Sequence, residues 1–303
     1  MDLKIFGAVL IGALVGCGGS AVDGTDGGVP DGSLPDGGSP AASSLVVDVD
    51  WLKANLGDPN LQPVDTRGAP AFAAGRIPGA IRLRPEQLAM SDGDVPSQVA
   101  SPVLAEPVLG DAGLRNGSTA VVYGEFPEYD PARVVWTLEY YRHGDVRYLD
   151  GGYAAWLDAG GTVDNEPSNV EATDYTIMDL NENVRVTGDW VLSQLGDAPY
   201  DMPSIQLVDA RSLAEYEAGR IPTARHVQWT ANLEAGLLRP VAEIEALYAG
   251  LDPSAPTVTY CQTGWRGSFA WLALTYIGYE DVRLYDGSWA EWGNGNGTFP
   301  VEQ

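Results

Sequence analysis

The chain has 303 residues, with 42 Asp and Glu against 17 Lys and Arg, and a formal net charge of −25. That balance excludes nucleic-acid binding and binding to an anionic lipid surface, both of which need clustered basic side chains. It also means that any anionic ligand must be held locally, by a few Arg side chains and backbone N–H groups.

The first predicted feature is a leader. Lys4 precedes an apolar run over residues 5–15, too short to span a bilayer comfortably. The run ends in Leu14-Val15-Gly16-Cys17, which resembles the bacterial lipobox. That resemblance implies cleavage before Cys17 and a diacylglycerol on its thiol. Residues 1–17 are then a signal peptide and lipobox, and the protein is lipid-anchored in the cell envelope, extracytoplasmic, and touches a membrane through that lipid alone. The alternative is an ordinary secretory signal with a chance cysteine. Residues 18–44 are Gly, Ser, Pro and Asp with almost no large apolar side chain, so they cannot bury enough surface to fold. As a flexible coil this tether spans roughly 30 Å.

The rest repeats itself, which suits two domains of ordinary size. Asp65-Thr-Arg67 followed by Phe72 and Gly75-Arg76-Ile77-Pro78-Gly-Ala80 aligns at one constant offset with Asp209-Ala-Arg211, Tyr216 and Gly219-Arg220-Ile221-Pro222-Thr-Ala224. At a slightly shorter offset Tyr148-Leu-Asp150-Gly-Gly-Tyr153 aligns with Leu284-Tyr-Asp286-Gly-Ser288-Trp289. Two ordered similarities at nearly one spacing indicate a duplicated domain rather than a solenoid.

In the first unit, residues 45–158, strands are expected over 61–64, 120–123 and 146–149, with a helix from about Pro131. Residues 159–185 are polar and irregular and read as a linker. In the second unit, residues 186–303, strands are expected over 205–208, 256–260 and 282–285. Between the last two, Phe269, Leu272, Ala273, Tyr276 and Ile277 mark one apolar helix face. Strands alternating with helices at these lengths predict an α/β fold, each unit a mainly parallel sheet flanked by helices on both faces.

These motifs resemble the rhodanese family. Asp-x-Arg, an aromatic and Gly-Arg-Ile-Pro-x-Ala are similar to that family's N-terminal signature, and Tyr285-Asp-Gly-Ser-Trp-Ala-Glu-Trp292 is similar to the C-terminal signature of tandem thiosulfate sulfurtransferases. Between them, Cys261-Gln262-Thr263-Gly264-Trp265-Arg266 occupies the place of the family's six-residue active-site loop. The resemblance implies that Cys261 accepts the sulfane sulfur of thiosulfate as a persulfide and passes it to cyanide or a thiol, with no metal or organic cofactor. Loop residues 262–267 and Arg211 would bind the donor, with Asp209 in support; alternatively Asp209 and Arg211 form a structural ion pair, since Asp65 and Arg67 repeat the pattern in a unit without the thiol. The partners are then a small anionic sulfur donor and a thiophilic acceptor, and the protein is expected to be a monomer. Related phosphatases and arsenate reductases carry a loop one residue longer. The loop departs from the Cys-Gly-Ser-Gly-Val-Thr of 3-mercaptopyruvate enzymes, which favours thiosulfate. Thr263 is neutral where thiosulfate enzymes often have a basic residue, so mercaptopyruvate stays open. A non-catalytic persulfide carrier or binding module is a third reading.

The residues themselves suit nucleophilic sulfur chemistry. A thiol placed after a strand and before a helix starting near Trp265 meets inward amide N–H groups and a positive helix end, both of which favour thiolate. Gly264 and Gly267 are expected to permit positive φ and close approach of the backbone to an anion. Arg266 either pairs within the loop or binds the donor. Glu215 is a candidate partner for Arg211. Opposite Cys261 the first unit has Gly124, followed by Glu125 and Glu128, so it reads as an inactive packing domain. Trp289 and Trp292 are expected in the core or between domains, His143 on the surface, and His226 in a structural role.

Overall fold

A computed structural model describes residues 44–167, 170–200, 203–294 and 297–303. The lipobox expectation at Cys17 and nearly all of the tether lie outside these residues. The first domain runs β1 (Val46–Val47), α1 (Val49–Asn55), β2 (Leu61–Asp65), α2 (Ala69–Ala74), β3 (Ile81–Arg82), β4 (Ala89–Asp92), β5 (Val95–Val99), α3 (Pro102–Asp111), β6 (Thr119–Tyr123), α4 (Asp130–Tyr140), β7 (Asp145–Leu149) and α5 (Gly152–Asp158). The second runs β8 (Arg185–Val186), α6 (Gly188–Leu195), β9 (Gln206–Asp209), α7 (Leu213–Ala218), β10 (Arg225–His226), β11 (Leu233–Glu234), β12 (Leu237–Leu238), α8 (Val241–Leu247), β13 (Thr257–Tyr260), α9 (Trp265–Tyr276), β14 (Val282–Tyr285) and α10 (Ser288–Trp292).

The duplication extends to topology. The first sheet has the order β1-β7-β6-β2-β3 and the second β8-β14-β13-β9-β10, with parallel pairing throughout. Both faces of the sheets are covered. Along β6, Ala120 and Val122 enter one core cluster while Val121 and Tyr123 enter another, as successive side chains of a strand must. Along β14, Val282 and Leu284 divide from Tyr285 in the same way. The α/β expectation with helices on both faces therefore holds. Small antiparallel hairpins, β4–β5 and β11–β12, supplement each sheet.

One core cluster belongs to both domains. It holds Trp136 and Leu138 of α4 with Phe269, Leu272 and Leu274 of α9, and Tyr148 meets Phe269 edge-on at 6.1 Å. This corrects the expectation of a single apolar face on α9. Ala270, Trp271 and Leu274 are buried as well, because α9 lies between its own sheet and the first domain. The segment after α5 follows the first domain: Asp164 bridges Arg76, and the N–H groups of Thr173 and Asn181 donate to Gly110 and Tyr140. His143, expected at the surface, is buried, its Nδ1 2.7 Å from the Tyr175 hydroxyl of this segment.

The hairpins are exchanged between domains. Val99 N–H of β5 donates to Asp286 Oδ2 at 2.8 Å, and Leu238 N–H of β12 donates to Asp150 Oδ1 at 2.8 Å. Asp150 and Asp286 are the matching residues of the two repeats. Each domain thus caps the turn after the other's last sheet strand.

Candidate active site

β9 and β13 are adjacent at the middle of the second sheet, in register from Gln206 with Thr257 to Asp209 with Tyr260. Beyond the carboxyl end of a central parallel strand the chain must open a crevice before its helix, which is where open α/β sheets place ligands. Cys261 is the first residue past β13 and is 1% exposed.

The loop is held from outside. Cys261 N–H donates to Ser288 Oγ at 3.2 Å, Trp289 N–H donates to the Cys261 carbonyl at 3.0 Å, and Ala290 N–H donates to the Gln262 carbonyl at 2.8 Å. Ser288 Oγ in turn donates to the Tyr285 carbonyl at 2.7 Å. Among the described residues, no acceptor faces the amide N–H groups of residues 262–266. Gly264, with φ +83°, is the N-cap of the long helix α9, so these donors and the helix end act on the same small volume. Gly267 works differently from the expectation. It lies within α9, and a β-carbon there would come within 2.8 Å of Leu284 Cδ1 and 3.2 Å of the Tyr260 backbone. It brings the helix close to the sheet rather than to an anion.

Arg266 settles into a pair. Its Nη1 and Nη2 each lie 2.8 Å from one oxygen of Glu215, which also accepts from the Ser212 hydroxyl at 2.6 Å. The Arg266 hydrogen bonds hold the Glu215 carboxyl down at about 2, while Glu215 raises Arg266 above its ordinary value and the Cys261 sulfur adds to that rise. Glu215 is therefore the partner of Arg266 and not of Arg211. The guanidinium stays about a fifth exposed.

Arg211 leaves the donor-binding set. It is 1% exposed, donates to both oxygens of Asp209 and to the Gly219 carbonyl at 2.7 Å, and lies 4.3 Å from the Trp289 ring centre. Arg67 makes the same contacts with Asp65, the Gly75 carbonyl and Tyr153 in the domain without a thiol. A geometry kept in both copies is a fold device, and Asp209 shares that role. His226 Nε2 is 2.9 Å from the Arg211 carbonyl, part of the same brace. Trp292 packs on Tyr285 and Phe299 in the outer core.

Two contributors were not singled out from the sequence. Ser288 is one. It has a non-glycine φ of +51° where the first repeat has Gly152 at +56°, and that departure in an otherwise matching Asp-Gly turn was the available signal. Tyr129 is the other. It comes from the first domain, meets Trp229 at 5.4 Å and Trp265 at 6.4 Å, and burial raises its phenol while the Arg266 charge opposes that rise. Nothing local in the sequence around it announces this.

In the first domain Gly124 occupies the place of Cys261, its carbonyl accepting from Tyr153 N–H at 3.0 Å. Glu125 reaches Arg67 at 3.3 Å, and among the described residues no group of three or more His, Cys, Asp or Glu is placed to hold a metal. A cavity of about 490 Å³ beside Gln62, Arg76, Arg115 and Asp164 contains no residue of the Cys261 loop.

A duplicated parallel-sheet domain with one thiol-bearing strand-to-helix loop defines a class, and comparison with known proteins agrees. The rhodanese-like domain family matches residues 48–159 and again 187–294. The chain belongs to that family and carries two copies of its domain. It is 34% identical over 269 residues to the "Putative thiosulfate sulfurtransferase SseA" of Mycobacterium tuberculosis, covering 82% of this chain and 88% of that one. It is 32% identical to the "Thiosulfate sulfurtransferase" of Pseudomonas aeruginosa, covering 85% and 97%. The crystal structure of SseA from Escherichia coli, described among the 3-mercaptopyruvate sulfotransferases, superposes with a TM-score of 0.73 at 25% identity, over 82% of this chain and 99% of that one.

Proposed function

We propose that this protein is a thiosulfate sulfurtransferase in which Cys261 carries the sulfur. The observation that carries the reading is the Cys261 loop, a buried thiol followed by backbone N–H groups at residues 262–266 that, among the described residues, donate to no acceptor, leading into the N-terminus of α9. In the first half-reaction the Cys261 thiolate attacks the outer sulfur of thiosulfate. A cysteine–sulfur bond forms, the thiosulfate S–S bond breaks, and its electron pair leaves with sulfite. The persulfide's negative sulfur is stabilised by the loop amides and the helix end. In the second half, cyanide or an acceptor thiolate attacks the terminal sulfur and the thiolate of Cys261 is released. Each half is a two-electron displacement within the reactants.

A second reading takes 3-mercaptopyruvate as the donor, and similarity to the Escherichia coli SseA structure supports it. The two are separated by incubating the chain with each donor and weighing it. Transfer adds one sulfur, about 32 Da, to wild type and none to Cys261→Ala. Cyanide should then release thiocyanate. An equal gain on Cys261→Ala sinks the mechanism, and persulfide without thiocyanate release identifies a carrier. The lipobox resemblance at Cys17 extends the proposal: the enzyme works as a monomer outside the cytoplasm, tethered by its own N-terminus. Metabolic labelling with a fatty acid, lost in Cys17→Ala, tests this.

A further inference from the structure

The loop of Cys261 is backed by a residue of the other domain. Arg133, on α4, places Nη1 2.7 Å from Asp286 Oδ1, and neither side chain is more than 1% exposed. Its Nη2 donates to the Ser97 carbonyl at 3.1 Å, and its guanidinium lies 4.6 Å from the Trp136 ring centre. Asp286 Oδ2 accepts from Val99 N–H, with Arg185 Nε more loosely placed at 3.4 Å. Asp286 begins the turn whose Ser288, Trp289 and Ala290 hold Cys261 and Gln262. A β-carbon at Gly264 would lie 2.9 Å from Asp286 Oδ1 and 3.1 Å from Arg133 Nη1. The ion pair therefore sits directly behind the last loop residue before α9.

The first repeat provides the comparison. Asp150 begins the matching turn and accepts Leu238 N–H, yet among the described residues no Lys or Arg pairs with it. Burial pushes its carboxyl up to about 6. A dedicated cation appears only behind the turn that supports a thiol.

We propose that Arg133 is a positioning residue for the Cys261 site, neutralising the buried Asp286 carboxylate so that the loop can accept negative charge on donor and persulfide. The inference rests on Cys261 being the sulfur acceptor. In a site of low polarity an uncompensated carboxylate so close to the loop would oppose every anion it receives. The other ionisable groups facing the loop are Arg266, its partner Glu215, and Tyr129; those facing Asp286 are Arg185 and Tyr141. None of these takes Arg133's place in direct contact with Oδ1.

The test measures single-turnover sulfur transfer to Cys261 in the full chain, from thiosulfate and from 3-mercaptopyruvate, with thermal unfolding recorded alongside. Arg133→Gln should slow transfer about tenfold at a temperature where it is fully folded, one partly screened like-charge contact being of that order. Adding Asp286→Asn should bring the rate back to within about threefold of wild type, because the coupled pair is then removed together. Asp150→Asn should leave the rate unchanged. An Arg133→Gln protein that is less stable but transfers sulfur at the wild-type rate overturns the inference, as does a lost rate that Asp286→Asn fails to restore. A wild type that accepts sulfur from neither donor overturns the reading of Cys261 itself, and this inference with it.

Discussion

Ser288 joins two requirements that pull against each other. Its hydroxyl accepts from Cys261 N–H and donates to the Tyr285 carbonyl, so it closes the scaffold behind the thiol. Its backbone has φ +51°, a conformation that costs a side-chain-bearing residue on the order of 1 kcal/mol. Ser288→Gly and Ser288→Ala lose the same hydroxyl, but only Gly relieves the backbone. Both should slow sulfur transfer about tenfold, through a loosened Cys261 amide. In urea unfolding the Gly variant should be more stable than the Ala variant by about 1 kcal/mol. Equal stabilities would show that the positive φ carries no strain.

At the scale of elements, β13, its loop and α9 have a counterpart in β6, its loop and α4, and the two connections diverge at the nucleophile. Tyr123 and Tyr260 hold identical places, each hydroxyl accepting an N–H at 3.2 Å, from Ile77 and Ile221 respectively. One residue on, the first domain has no room: a β-carbon at Gly124 would stand 2.6 Å from Thr66 Oγ1 and 2.7 Å from Pro131 Cγ. Pro131 is there because α4 starts at Asp130 by another route, whereas α9 begins at Trp265 close behind its strand. Gly124→Cys should therefore gain no sulfur from either donor in a Cys261→Ala background, and should cost about 1–3 kcal/mol from overpacking. A persulfide at position 124 would show that the missing thiol was all the first domain lacked.

At the scale of the whole molecule, the two domains share one core and exchange hydrogen bonds from backbone N–H groups to turn carboxylates, so a charge in the half without a thiol bears on the whole. Asp150 illustrates this. Its carboxyl is raised by burial from 3.8 to about 6, so the folded protein binds a proton there that the unfolded chain has already released between about pH 4 and pH 6. Stability from this group is fully present below about pH 4 and is lost as pH rises through 6. Asp150→Asn keeps an acceptor for Leu238 N–H and removes the titration. It should raise the thermal midpoint relative to wild type at pH 8 and give little difference at pH 4. A shift of equal size at both values would exclude burial of the charge as the cause.

The sequence by itself determined the repeat, the α/β class and the place of Cys261. These depend on local periodicity and on turn residues such as Gly-Arg-Ile-Pro and Asp-Gly, which act over a few positions of chain. Strand ends were legible to within a residue at β7, β13 and β14, where β-branched and aromatic side chains stop at a turn. What only the tertiary structure decided was partnership. Glu215 read as a candidate partner for Arg211, until the β9–β13 register and the start of α9 placed it against Arg266. Asp286 had no visible cation until α4 brought Arg133 to it from 153 residues away. Helix α9 showed one apolar face in its periodicity and buried two, because the second is covered by a domain that the local pattern does not record. Cys261 is marked by the residues around it, but the Arg133–Asp286 pair behind its loop is assembled by packing between two copies of the fold.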